Sequence, residues 1–366
     1  FVIMMIAFCV VNLATGDREF SATENRALEQ RPELTISGLE SGRWMEQYES
    51  YVSDQFAGRD FWVVLKSRVD LLAGKRKANG VFKGKDHYLL EDIAKPDEDQ
   101  LKENLSAMKK FQKQYKDIPM YMMLVPNAAN IESDKLPGYA VTENQEKQFK
   151  AIHSTLGSAY TWVDVSDILK KHRSEEIYYH TDHHWTTLGA YYGYQALSKS
   201  MKLDTSKTSD MKPYAVTNAF NGTLASTSGY ETGYEEPIYI YAPDNLKNAT
   251  EAVVNNVNEK KKTATLYDTS KLKGKDKYAL FLGGNYPILD IKTTADSTDR
   301  LLIIKDSYAN SLIPFLIPYY REIVVVDPRY YYDDIEKVMK KDNITSVLFL
   351  YNGNTFVKDN SISGVL

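Results

Sequence analysis

RLLIIKDS, Arg300 to Ser307, reads as a buried strand that stops at a serine. A helix is expected behind it, over about 309–320. Working outward, the same alternation recurs. REIVVVDPRYY (Arg321 to Tyr331) is a strand then a loop, DDIEKVMKKD (Asp333 to Asp342) a helix, and SVLFLYNGNT (Ser346 to Thr355) a strand then a loop. Upstream, MYMMLVP (Met120 to Pro126) is a continuous apolar run, as expected of a strand covered on both faces. YTWVDVSDIL (Tyr160 to Leu169) holds another strand. Helical patterns occupy 98–116, 142–157 and about 187–201. Strands alternating with helices imply a parallel sheet and a layered α/β fold, whose ligands sit at the carboxyl ends of the strands. Ser307 and the loop Asn352 to Thr355 fall at such ends.

Five segments follow from texture. Residues 1–16 hold the apolar run FVIMMIAFCVVNLA, read as a membrane anchor although shorter than the roughly 20 residues of a full span. Residues 17–96 form an extended arm, a helical entry segment and a short hairpin at 80–92. Residues 97–203 begin the α/β domain. Residues 204–298, rich in Thr, Asn, Gly, Ser and Tyr, read as a β-rich insertion. Residues 299–366 complete the domain.

Composition narrows the function. The chain has 366 residues, net charge −4 and no basic stripe, which points away from nucleic acid. Its single cysteine, Cys9, excludes a disulfide framework within the chain and a cysteine-based zinc site. The 27 tyrosines suit sugar rings and suit half-buried strands equally well. The sequon Asn248 to Thr250 carries no weight.

The densest chemical cluster is YYHTDHHWTTLG, Tyr178 to Gly189, with His180, Asp182, His183, His184 and Trp185. One reading is a metal site, but adjacent loop residues point in different directions and no second ligand cluster is evident. A second is that the histidines only cap a helix. The third is an acid–histidine pair serving a nucleophile, in which imidazole takes a serine proton and a carboxylate orients the ring. An Asp two residues before a His on a loop can put both side chains on one side. Ser307, at a sharp strand-to-helix corner, is the nucleophile this pair requires. The helix behind it is expected to favour an oxyanion.

With these residues in view, TDHHWT (Thr181 to Thr186) resembles the defining motif of the DHHW family. That family is similar to the alginate O-acetyltransferases and to SGNH hydrolases. The strings ENRALEQRP, YVSDQFAGRD, MLVPNAANI and LLIIKDSYA extend the resemblance over most of the chain. It implies a three-layer αβα sandwich with reversed block order, the Asp–His block preceding the serine block. It implies Ser307 as nucleophile, His184 as general acid/base and Asp182 as its orienter. Asn352 and Asn354 stand where an oxyanion-hole Asn is expected, and the loop Asp327 to Tyr331 where a Gly donor is usual. Tyr308, Arg329 and Trp185 are candidate substrate contacts, with a surface salt bridge as the plainer role for Arg329. No metal and no cofactor are expected. The function expected is an extracytoplasmic O-acetyltransferase acting on a cell-surface polysaccharide. A membrane-bound acyl-transfer protein would supply the acetyl group, and the N-terminal segment would anchor the enzyme beside it. The alternatives are a carbohydrate esterase with the same triad and a non-catalytic scaffold of a polysaccharide export complex.

Overall fold

The structure is a computed structural model. It describes residues 2–21, 26–40, 42–245 and 249–366. Phe1 of the apolar run, Glu24 and Asn25 of the entry string, and Asn248 of the sequon lie outside the described residues. The centre is an eight-stranded sheet. In spatial order its strands are Lys261–Thr263, Ala252–Asn256, Ile288–Thr293, Glu322–Val326, Arg300–Lys305, Ser346–Asn352, Met120–Val125 and Thr161–Trp162. The last five run parallel to one another, and the first three are added antiparallel at one edge.

Alternation along the strands builds two cores. Leu301 and Ile303 pack on one face with Leu348, Leu350, Met123 and Val125, under the helix Thr187–Met201. Leu302 and Ile304 pack on the other with Val347, Phe349, Met122 and Leu124, under the helices Glu98–Gln114 and Gln145–Leu156. The period-2 geometry of a strand sends successive side chains to opposite faces, so a run apolar at every position is what a doubly covered strand requires. The result is the expected αβα sandwich with a mostly parallel sheet.

Three expectations are corrected. The segment after Ser307 is not an α-helix: it forms two 3₁₀ turns, Ser307–Ser311 and Ile313–Phe315. Pro314 and Pro318 lack the backbone N–H that an α-helix needs in its interior, and short 3₁₀ pieces tolerate that better. The region 204–298 is also not one lobe. The strands Met211–Phe220 and Glu236–Pro243 make a separate antiparallel pair, while 252–293 supplies the antiparallel edge of the central sheet. The segment after Asn352, read as a loop, becomes the short helix Gly353–Lys358.

The apolar N-terminal run is helical over Val2–Ala14. No helix among the described residues is long and apolar enough to cross a membrane. The Asn12 side chain ties this helix to the entry segment by accepting from the Ala57 N–H at 2.7 Å.

The antiparallel edge carries a testable electrostatic cost. Burial and the neighbouring Glu322 push the Asp290 carboxyl up to about 6. The unfolded carboxyl ionises near 4, so the folded form loses stability as pH rises from about 4 to about 6 and stays lower above that. Asp290→Asn should therefore raise stability by about 1–2 kcal/mol at pH 7.5, discounted for its partial exposure, with the gain vanishing toward pH 4. Thermal unfolding of both proteins across this range checks it; a variant no more stable at pH 7.5 contradicts it.

Candidate active site

The segment Tyr178–Gly189 is folded back on itself. Tyr178 pairs with Trp185 in an antiparallel bridge, and the Tyr179 N–H donates to the His184 carbonyl. Thr186 then caps the helix Thr187–Met201, its Oγ1 accepting from the Gly189 N–H at 3.2 Å. At Gly189 a Cβ would stand 2.3 Å from the Ile177 carbonyl oxygen, so this close approach requires glycine.

This reversal puts Asp182 and His184 together. The His184 Nδ1–H donates to Asp182 Oδ1 at 2.5 Å, and the His184 backbone N–H donates to the same oxygen at 3.0 Å. The other carboxylate oxygen, Oδ2, accepts from the Thr223 N–H and hydroxyl, both at 2.8 Å. Burial pushes the Asp182 carboxyl up, but the adjacent His184 and His183 and these hydrogen bonds outweigh it. The group is held well below the usual carboxylate range. With Nδ1 bound to a carboxylate, Nε2 of His184 is the free acceptor. It lies 2.7 Å from Ser307 Oγ. The three predicted residues therefore stand in one line: carboxylate, imidazole, hydroxyl.

Ser307 sits where the sequence put it, just past the carboxyl end of the strand Arg300–Lys305. Asp306 fixes the corner. Its Oδ1 accepts from the Tyr308 N–H at 2.9 Å and its Oδ2 from the Asn352 N–H at 2.9 Å. The Ser307 backbone N–H makes no hydrogen bond among the described residues. It is a backbone donor that the corner leaves available beside the Ser307 hydroxyl.

Other site candidates are redistributed. Trp185 is fully buried, its Nε1–H donating to the Tyr308 carbonyl at 3.0 Å and to Ser311 Oγ at 3.1 Å. Tyr308 is buried too, its hydroxyl donating to the His183 carbonyl. These two are corrected from substrate contacts to braces that lock the Asp–His loop onto the serine corner. Both ends of the Asn354 amide are occupied: Oδ1 accepts from the Ala94 N–H and Nδ2 donates to the Asp92 carbonyl, each at 2.8 Å. One amide hydrogen of Asn354 remains. Asn352 Oδ1 accepts from the Asn354 N–H at 3.0 Å and its Nδ2 donates once, to the Val125 carbonyl, at 3.2 Å. Asn352 is left in the same state as Asn354, with one amide hydrogen remaining. Arg329 grips Asp327 with both Nε and Nη2, at 2.8 and 2.6 Å, which is the salt bridge its plainer role implies.

Three residues of the region 204–298 complete the site and were not singled out from sequence. Tyr278 stacks on His184 with centroids 3.7 Å apart, and its hydroxyl donates to the Ser307 carbonyl at 3.2 Å and to Ser311 Oγ at 3.1 Å. Thr223 holds Asp182. Glu236 accepts from the N–H groups of His180 and Thr181, at 2.8 and 2.9 Å, and from the Thr181 hydroxyl at 2.6 Å. Burial still pushes the Glu236 carboxyl up to about 7. The only signal for Thr223 was Gly222 before it. A Cβ there would lie 2.3 Å from Asp182 Cβ and 2.6 Å from its Oδ2. Gly222→Ala should displace the carboxylate and cut turnover by about 10²-fold or more, since misplacing a catalytic group by about 1 Å has that effect. Steady-state assay of the folded variant checks this; unchanged kcat contradicts it.

Asp182, His183 and His184 can bring ligand atoms within 4.8 Å of one another. They fit a metal poorly. Asp182 and the His184 Nδ1 are committed to each other, His183 Nδ1 is 2.8 Å from Thr223 Oγ1, and the two rings face each other at 3.9 Å rather than converging.

Residues 103–326, more than half of the chain, match the model of the DHHW protein family. The chain belongs to the DHHW family. Among solved structures it is similar to a DHHW family protein from Eubacterium siraeum, at 24% identity and TM-score 0.64, covering 78% of this chain and 95% of that one. It is also similar to Bacillus cereus PatB1, at 21% identity and TM-score 0.65, covering 78% and 99%. A third is the O-acetyltransferase domain of Pseudomonas putida AlgJ, at 14% identity and TM-score 0.50, covering 78% and 94%. At these identities the likeness establishes the fold. No curated protein matches.

Proposed function

We propose that this DHHW protein is a serine O-acetyltransferase that works outside the cytoplasmic membrane on hydroxyls of a cell-surface polysaccharide. The observation that carries the reading is the line Asp182–His184–Ser307, with contacts of 2.5 and 2.7 Å. Ser307 Oγ attacks the acetyl carbonyl while His184 Nε2 takes its proton. The Ser307 N–H and the remaining amide hydrogen of Asn352 or Asn354 stabilise the oxyanion. The leaving group takes the proton from His184, and acetyl-Ser307 remains. A sugar hydroxyl then loses its proton to Nε2 and attacks the acetyl group, and Ser307 recovers the proton. No step needs a resident cofactor. AlgJ, whose domain is an O-acetyltransferase, shares the architecture and so supports the class of reaction.

Acetyl donors of the cytoplasm do not reach such a site, so a membrane-bound acyl-transfer protein delivers the acetyl group. The apolar helix Val2–Ala14 holds the enzyme near it. An esterase would use the same triad with water as acceptor. Incubation with a chromogenic acetyl ester, with and without polysaccharide, separates them. Chromophore release with acetyl recovered on the polymer is expected. Acetate alone would make it an esterase, and no release would leave a scaffold.

A further inference from the structure

Glu236 is a buried carboxylate, 5% exposed, and no cation pairs with it among the described residues. Burying a charge without a counter-ion costs stability unless hydrogen bonds replace its water. Glu236 finds those bonds in the loop that carries Asp182. Its Oε2 accepts from the His180 N–H, and its Oε1 accepts from the Thr181 N–H and hydroxyl. A glutamine could accept at one end only. The groups that face Glu236 do not neutralise it. Asp182 is a second carboxylate, burial raises the phenols of Tyr88, Tyr179 and Tyr234, and burial lowers the His180 ring to about 4.

The same contact reaches the second segment that holds Asp182. Thr181 Oγ1, which donates to Glu236, accepts from the Gly222 N–H at 2.9 Å, and the Thr181 carbonyl accepts from the Ala225 N–H at 3.2 Å. Gly222 precedes Thr223, whose N–H and hydroxyl clamp Asp182 Oδ2. Topology makes this one unit. Phe220 and Glu236 form the last register pair of the strands Met211–Phe220 and Glu236–Pro243, so the chain leaving Phe220 and the Glu236 side chain meet at the Asp–His loop. Asp182 is fixed along the chain by Thr181 and from the side by Thr223, and both lines run back to Glu236.

We propose that Glu236 is a positioning residue for the triad: the three hydrogen bonds it accepts set where Asp182 holds His184 against Ser307. This rests on the serine reading of the site, and its test separates the two. Glu236→Gln keeps the volume and loses one acceptor. In the full chain it should hydrolyse the chromogenic ester at pH 8 with kcat about tenfold lower and KM unchanged, since the catalytic geometry moves and ester binding does not. The pH profile is a readout that a merely structural role would not move. Burial pushes Glu236 up to about 7, so its ionised form gives way to the acid as pH falls through neutrality. The acid limb of kcat in the parent should therefore fall more steeply than the His184 proton alone allows, and in Glu236→Gln it should follow one proton. Thr181→Val deletes only the hydroxyl link and should also lower kcat; combined with Glu236→Gln it should cost less than the product of the two losses. The low-field proton resonance of the His184 Nδ1–H, assigned by its absence from His184→Ala, reads the Asp182 contact without catalysis and should shift in Glu236→Gln. A kcat equal to the parent's, a change confined to KM, a one-proton limb in the parent, fully multiplicative losses or an unmoved resonance overturns the proposal. A parent that hydrolyses no ester would instead sink the serine reading, and the resonance alone would then decide whether Glu236 places His184.

Discussion

Replacing Ser307 with alanine removes the oxygen proposed to accept the acyl group, and turnover of an acetyl ester should fall by about 10³- to 10⁶-fold. His184→Ala should fall as far, because a serine hydroxyl without its base stays protonated at neutral pH. The two changes together should cost no more than the worse of them, since the groups act as a unit. Ser307 is half-buried and its side chain bonds only to His184 among the described residues, so Ser307→Ala should melt within a few degrees of the parent. That separation of activity from stability is the informative part. Activity that survives the substitution would mean that another group attacks the ester.

Asp327→Ala is expected to give the largest loss of stability. Lys305 is 1% exposed, two residues before the nucleophile, and its ammonium lies 3.2 Å from Asp327 Oδ2 and 2.8 Å from Asn285 Oδ1. Burial pulls the Lys305 ammonium down, and the Asp327 charge opposes that. Asp327 is itself fully buried and also holds Arg329. Removing the carboxylate leaves a buried cation and the Arg329 guanidinium with no counter-ion, a loss of about 3–5 kcal/mol. Lys305→Met combined with Asp327→Leu should cost much less, because no charge is left unpaired in the interior and the Arg329 guanidinium, 31% exposed, can be solvated. Denaturant unfolding of the three proteins tests the comparison. Equal losses in the single and double variants would mean that packing, not charge, dominates this corner. The lysine matters for function through position: it fixes the strand end that carries Ser307.

The parallel core was legible because its strands are covered on both faces. Uninterrupted apolar runs such as Leu301–Ile304 and Met122–Val125 admit few other readings, and the structure gives both. The triad was legible for a different reason. Asp182 and His184 sit two residues apart, and Ser307 ends a strand, so local spacing and topology together define the line. What spacing could not reveal came from elsewhere in the chain. Thr223, Glu236 and Tyr278 lie 41 to 96 positions beyond Asp182, in a segment whose texture reads only as β-rich. Their roles depend on how that segment folds back over the Asp–His loop. Trp185 and Tyr308 illustrate the reverse case. Aromatic side chains beside catalytic residues suggest substrate contact, but each has a polar tip that a buried site must satisfy. Here each tip crosses to the other half of the site, Trp185 to the serine corner and Tyr308 to the Asp–His loop. The lost helix after Ser307 was readable from Pro314 and Pro318, whose missing N–H groups weigh more than apolar periodicity.

The central claim is that Ser307 is the acyl-accepting nucleophile. Its most direct test is mass spectrometry of the protein after brief exposure to the acetyl ester and an acid quench. The account predicts a mass increase of one acetyl group, located on the peptide that carries Ser307 and absent from Ser307→Ala. Acetyl on another residue, or an unmodified protein that still turns over the ester, would contradict it.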